Sequence, residues 1–356
     1  MIGPRRTCRI FGSAIHDGLG EAMQLKKLIN DPRNVVREMF EGFVAMHKGR
    51  FRLLDEVNVV VKSKLDPGKV GLVIGGGSGH EPLFLEFLGE GFADAVCQGN
   101  VFAAPPPDVI LAATKAADRG HGVLYVYGNY AGDNLNFDMA AEMAEMDGIR
   151  TATVRVMDDV ASAPPERTTD RRGIAGDFYV IKIAGAVCDA GLDLDEVRRV
   201  TEKAGNNTRT MGVALSPGTI PGIAKPAFEL PDDQIEIGMG LHGEPGVRRG
   251  PMEPADAIVD NLIELIAADL PFESGDEVCV LVNGFGSTTR MELLICMRRA
   301  LERLNQLGIK VHDAQAGDYA TCQEMAGVSI SLLRLDSELK EYYGRPAWSP
   351  AFSTRR

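Results

Sequence analysis

Residues 75–79 read Gly-Gly-Gly-Ser-Gly, four glycines in five positions, and they follow directly on the apolar run Val70-Gly71-Leu72-Val73-Ile74. Glycine lets a backbone turn tightly and approach a ligand with its amide N–H groups facing it. His80, Glu81 and Pro82 come next. Pro82 suits the first turn of a following helix, where its missing N–H has no partner to lose. The spacing therefore predicts strand, glycine loop, helix, with the imidazole of His80 at the carboxyl end of a parallel strand. Open α/β sheets bind small molecules at that place.

The rest of the chain agrees with a layered α/β fold. Val35, Val36, Met39, Phe40, Phe43, Val44 and Met46 recur at helical spacing. Strands are predicted over 57–61, 70–74, 123–127 and 151–156, with helices over 107–117 and 137–145 between them. A helical region over 173–204 is broken near Ala190-Gly191. Such alternation gives a three-layer domain with a largely parallel sheet. After Asn206-Asn207 the pattern restarts, with strands over 211–215, 235–239, 278–282, 311–314 and 328–335 and helices over 254–268 and 291–307. The expected fold class is α/β: two α/β domains, each a largely parallel or mixed sheet flanked by helices. The expected division is 23–195 and 196–356, with 1–22 as an N-terminal extension, because Met23 stands just before a helix-like start.

Composition removes several functions. A net charge of −12, spread along the 356 residues, argues against a nucleic-acid surface, which needs a basic patch. The six cysteines (Cys8, Cys97, Cys188, Cys279, Cys296, Cys322) lie far apart. They form neither a disulfide framework nor a zinc-ligand pair, so reduced thiols in a cytoplasmic protein are expected. No apolar run reaches the roughly 18 residues of a membrane span, and the basic start Met1-Ile2-Gly3-Pro4-Arg5-Arg6 lacks the apolar stretch of a secretory signal.

Three glycine-framed segments carry the candidate chemistry. The first is not a P-loop, since His80 stands where Lys-Ser/Thr belongs. It is not a dinucleotide fingerprint either, since His80 or Pro82 takes the place of the last glycine. It either cradles something polar or simply packs a helix on the sheet. In the second, Tyr127-Gly128-Asn129-Tyr130-Ala131-Gly132-Asp133-Asn134, Asp133 lies near a helix N-cap. It reads as a cap worth about 1 kcal/mol or as a catalytic carboxylate brought to the same sheet edge as His80. The third, Gly238-Met239-Gly240-Leu241-His242-Gly243-Glu244-Pro245-Gly246, sets His242 at a strand end as a candidate nucleophile or base. His16, His47, His121 and His312 have no such setting and read as surface or packing residues.

Together these segments resemble the dihydroxyacetone kinase family, specifically its ketose-binding DhaK subunit. The likeness runs from about Leu25 to Pro350, with support from Arg171-Arg172-Gly173, Gly222-Ile223-Ala224-Lys225-Pro226 and Leu281-Val282-Asn283. The resemblance implies that His242 attacks the ketone carbon to form a hemiaminal. It implies that Asp133 and His80 act on the hydroxyls as base and acid/base partner, and that Gly77, Ser78, Gly79 and His80 line the pocket. It further implies a homodimer that binds no cofactor of its own. ATP and Mg2+ would sit on a separate all-helical DhaL-type subunit, or a phosphotransferase-system protein would recharge a nucleotide there. No DhaL domain is recognised in this sequence. One position departs from the pattern: the family lysine before Asn-Tyr is Gly128 here. Either a larger ketose such as erythrulose or a branched tetrulose fits the freed space, or water or Tyr127 fills it. The alternative role that the resemblance implies is a ketone-binding coactivator of transcription.

Overall fold

The computed structural model describes residues 26–223 and 225–354. The predicted extension over 1–22, with Cys8 and His16, lies outside them. Strands β1 (Phe51–Leu53), β2 (Val59–Lys62), β3 (Gly71–Ser78), β4 (Ala95–Val101), β5 (Val123–Gly128) and β6 (Thr151–Val156) form a sheet in the order β1-β2-β4-β3-β5-β6. The last four run parallel, while β1 and β2 extend the sheet antiparallel. Parallel neighbours need a crossover, and helices α2 (Pro107–Ala117) and α3 (Ala131–Met146) supply two of them. Ile110, Ala113, Phe137 and Ala140 of these helices pack on Val73, Cys97 and Tyr125 of the sheet.

The opposite face is covered by α4 (Asp177–Cys188), with all 12 residues buried. Apart from Asp177 and Lys182 its sequence is apolar on every side, as suits a helix without a solvent face, and the Lys182 ammonium donates to the Tyr342 and Arg345 carbonyls at 3.3 Å. Around it lie α1 (Val35–Met46), α5 (Leu194–Asn206) and α8 (Ser337–Tyr343). Phe178 and Ile183 of α4 belong to one apolar cluster that also takes in Leu72 and Ile74 of the first sheet and Leu281 and Leu333 of a second. The core is therefore continuous between the two halves.

The second sheet contains β7 (Thr208–Ser216), β8 (Gln234–Ile237), β9 (Arg248–Pro251), β10 (Glu277–Gly284), β11 (Lys310–Asp318) and β12 (Ala326–Leu335), ordered β11-β10-β12-β7-β8-β9. Helices α6 (Ala255–Asp269) and α7 (Arg290–Gln306) pack on its far face through Val259, Leu262, Leu293 and Met297. Only β10 and β11, joined through α7, are parallel; the other pairs are antiparallel. No helix separates β7, β8 and β9, so these strands turn back on one another. The sheet is mixed, with less parallel character than strand–helix alternation alone suggests. The division expected at residue 195 falls inside α5. Among the described residues no helix is long and apolar enough to cross a membrane.

One local expectation fails at the most telling position. No α-helix follows His80. The chain passes through the cis Glu81–Pro82 peptide into a turn and a three-residue 3-10 helix, Leu85–Phe87.

Candidate active site

β3 and β5 lie side by side, although β4 comes between them in sequence. The chain leaves β3 toward one side of the sheet and returns on the other, which opens a crevice at their carboxyl ends. A cavity of about 240 Å³ sits there, lined by Gly77 and His80 at the end of β3, by Gly128, Tyr130 and Asp133 where β5 gives way to α3, and by Asp177 and His242. His242 comes from the second half of the chain, so both halves build this one site.

The glycines work differently from the expected turn. Gly75, Gly76 and Gly77 remain within β3. A Cβ on Gly75 would fall on the Cys97 carbonyl oxygen, and one on Gly77 would come within 2.9 Å of the Ala103 nitrogen. They permit close approach of neighbouring backbone; Gly79, at φ +99°, makes the actual turn. Ser78 and Gly79 do not line the cavity. The Ser78 hydroxyl donates to the Gly99 carbonyl at 2.8 Å, and the Gly79 N–H donates to the Glu81 carboxylate at 3.0 Å. Of the predicted loop residues, Gly77 and His80 reach the lining.

His80 is held from across the molecule. The Thr321 N–H donates to the His80 carbonyl at 3.1 Å, and the Gln323 N–H to that of Gly79 at 2.9 Å. The Thr321 carbonyl lies 2.7 Å from His80 Nδ1, and His80 Nε2 lies 3.0 Å from His242 Nε2. Burial, then the adjoining His242, pushes the His80 imidazole down to about 3, so it is neutral near pH 7. The carbonyl fixes its proton on Nδ1, which leaves Nε2 as an acceptor toward His242. The ring of Phe102 stacks on His80, centroids 5.0 Å apart.

His242 sits in a tight turn after β8. Its backbone N–H donates to Glu244 Oε2 at 3.0 Å, and its Nδ1 lies 3.2 Å from Glu244 Oε1. Arg172, 3.5 Å from Glu244, is anchored in turn on Asp159. Burial opposes charge on Glu244, but the His242 hydrogen bond, the His242 charge and the Arg172 guanidinium outweigh it and hold the carboxyl at about 2. His242 thus faces a fixed anion at Nδ1 and a neutral acceptor at Nε2. The Tyr130 ring closes the third side, centroid to centroid 5.0 Å.

Asp133 lies in the first turn of α3, three residues past the N-cap Tyr130. Its Oδ1 is buried with no partner among the described residues. Burial raises the carboxyl to about 7, with His242 the largest opposing influence. A group of that kind changes protonation near neutrality, as a general base should. Gly128 lines the same cavity, where a Cβ would lie 3.3 Å from Asp177 Oδ2 and from the Gly173 carbonyl oxygen. Tyr127 does not fill this space: its ring stacks on Phe137, and its hydroxyl accepts from Arg155 at 3.1 Å. Among the described residues no cluster of three His, Cys, Asp or Glu side chains is placed to hold a metal ion.

Sequence reasoning missed Glu244, Thr321, Tyr130 and Asp177. Glu244 carried a signal, a carboxylate two residues after the histidine in the same glycine frame. Thr321 carried none, because it meets His80 only through the packing of the two halves. Of the other described histidines, His47 packs on Phe43 and Phe51, His312 pairs with Glu277, and His121 is exposed.

Two imidazoles and a carboxyl line one small cleft between paired α/β sheets. The chain belongs to the Dak1 family, whose domain matches residues 41–351. It is 46% identical over 331 residues to a Listeria innocua protein named PTS-dependent dihydroxyacetone kinase 2, dihydroxyacetone-binding subunit DhaK, covering 92% of this chain and 99% of that one. It is 39% identical over 329 residues to the L-erythrulose kinase of Pectobacterium atrosepticum, a match spanning 91% of this chain and 56% of that relative's length. Among solved structures, the dihydroxyacetone kinase operon co-activator DhaQ superposes with a TM-score of 0.83 at 29% identity, over 88% of this chain and 97% of its own.

Proposed function

We propose that this chain is the substrate-holding and catalytic subunit of a two-component ketose kinase, which captures its substrate as a hemiaminal on His242. The observation that carries this reading is the His80–His242 pair, Nε2 to Nε2 at 3.0 Å, beside the buried Asp133 in one cavity. In the reaction the His242 Nε2 proton passes to His80 Nε2, which frees the lone pair to attack the ketone carbon. The C=O π electrons move to oxygen, and that oxygen takes the proton from His80. His80 ends neutral, and the adduct ring keeps the charge with which His242 began, its Nδ1 against Glu244. One imidazole proton has become one hydroxyl proton, with net charge unchanged.

The fixed adduct then presents a terminal hydroxyl to Asp133, which takes its proton as the oxygen attacks phosphorus. Phosphoryl transfer depends mainly on positioning and charge neutralisation, and the adduct supplies the positioning. In this reading the donor, ATP with Mg2+ or a nucleotide recharged by a phosphotransferase-system protein, belongs to a separate DhaL-type subunit. The chain works as a homodimer in the cytoplasm, with residues 23–195 as the glycine-loop unit and 196–356 as the His242 unit. The L-erythrulose kinase relative and Gly128 together support a substrate larger than dihydroxyacetone.

The co-activator structure supports a second reading, a ketone-responsive regulator. Asp133 separates the two, because sensing needs capture by His242 but no base. The test pairs calorimetry of the chain alone with turnover beside a DhaL-type subunit. Ketoses are expected to bind at least tenfold more tightly than glycerol, which has no carbonyl. His242→Ala should abolish that difference, and Asp133→Ala should keep capture and lose turnover by about 10²-fold or more. Equal affinity for glycerol and ketoses would overturn covalent capture. Capture without turnover in the unsubstituted chain would favour the regulator.

A further inference from the structure

We propose that Asp177 sets the substrate specificity of this cleft, taking a hydroxyl of a ketose longer than a triose in the notch beside Gly128. The inference rests on the ketose reading above and deepens it. Asp177 is the first residue of α4, is 2% exposed, and lines the same cavity as His242 and Asp133. Its Oδ1 is buried without a hydrogen-bond partner among the described residues. A buried carboxyl oxygen left unpaired calls for an explanation, and structural duty does not supply one here. Asp158, the neighbouring buried carboxyl, takes that duty by accepting the N–H groups of Ile174 and Gly176 at 2.8 Å each.

Two glycines, Gly128 and Gly173, line the cavity beside Asp177, and the notch is the part of the cavity they border. A Cβ at position 128 would lie 3.3 Å from Asp177 Oδ2, and one at position 173 would fall on the Gly128 Cα. Strand end, loop and helix start therefore meet at van der Waals distance, and any longer side chain at 128 would cover the carboxyl. With glycine there, the carboxyl opens into the cavity. Burial, with Asp158 and Asp133 nearby, pushes its pKa well above the ordinary value. A carboxyl accepts from a sugar hydroxyl in either protonation state and also donates when it carries a proton, so Asp177 matches a hydroxyl on either count. Asp133 and Asp177 occupy the first turns of α3 and α4 and face one cavity. A ketose fixed on His242 by its carbonyl then offers one terminal hydroxyl to Asp133 and its remaining carbons to Asp177. On that second side dihydroxyacetone has only a hydroxymethyl next to the fixed carbon, whereas erythrulose carries a further hydroxyl one carbon farther out.

The test measures affinity and intact-mass adduct for dihydroxyacetone and for D- and L-erythrulose, on the unsubstituted chain, Asp177→Ala and Gly128→Ala. The unsubstituted chain is expected to prefer one erythrulose over dihydroxyacetone by about tenfold or more, since a site built to bond a hydroxyl discriminates strongly against its absence. Both substitutions should cut that ratio by about tenfold, the first by removing the partner and the second by filling the notch. Gly128→Ala leaves the α4 terminus intact and so reads the notch even where Asp177→Ala lowers stability. A ratio unchanged within threefold in both variants, or no tetrulose preference at the outset, overturns the assignment while adducts still form. Failure of every ketose to form an adduct with the unsubstituted chain overturns the ketose reading itself.

Discussion

Glu244 turns an ordinary histidine into a candidate nucleophile. Its carboxylate, held at about 2, is a fixed anion beside the ring before and after capture, and its bond to Nδ1 aims Nε2 at His80. Glu244→Gln should slow adduct formation by about tenfold or more, in the range found when a carboxylate supporting a functional histidine is removed. Rapid-quench mass spectrometry reads that rate, and an unchanged rate would assign Glu244 to folding alone. Asp133 makes a separate prediction about pH. With its carboxyl raised to about 7, it is protonated below that pH and a base above it. Turnover should therefore rise as pH passes through 7, while adduct formation shows no matching limb from Asp133; turnover flat from pH 6 to 8 would exclude it as the base. The sign for stability runs the other way. The unfolded carboxyl ionises near 3.8 and the folded one near 7, so the site loses stability as pH rises through that window. Asp133→Asn should raise the melting temperature at pH 8 and end turnover. A lower melting temperature would mean the charge is better accommodated than its burial implies. His80, Asp133, His242, Gly77 and Gly128 were all legible because each stands in or beside a glycine-framed strand exit. Ser78 and Gly79 belong to the same motif but are buried in hydrogen bonds that only the folded loop reveals.

Among elements, α2 and β6 follow their sequence signals closely, since an apolar period with a proline start marks one and a β-branched run marks the other. β4 was invisible because Ala-Val-Cys-Gln-Gly-Asn-Val mixes small and polar residues. It is a strand through its pairing with β2 and β3, and its small residues admit the glycines of β3. The absent helix after His80 has a related cause: the segment is gripped from the far half through Thr321 and Gln323, a tertiary contact that local pattern cannot contain. The β3–β4 packing makes its own prediction. Gly75→Ala places a methyl on the Cys97 carbonyl, so urea denaturation should show a loss of about 1–3 kcal/mol, the usual cost of overpacking. A loss under about 0.5 kcal/mol would mean the strands can separate to admit it.

At the scale of the whole molecule, the two sheets share one apolar core around α4, and the cavity takes His80 from one half and His242 from the other. Calorimetry should accordingly show a single cooperative unfolding transition. Two separable transitions would mean the halves are held together less tightly than this core implies. The repeated α/β pattern in the sequence pointed to two sheets. It could not show that a helix buried on every side would join them, because burial of α4 depends on what lies across it. The central claim is a bond between His242 Nε2 and the carbonyl carbon of a ketose. Intact-mass measurement of the chain mixed with erythrulose tests it most directly. The predicted result is a gain of one whole sugar with no loss of water, present in the unsubstituted chain and absent in His242→Ala. No gain, or a gain that survives in His242→Ala, would contradict it.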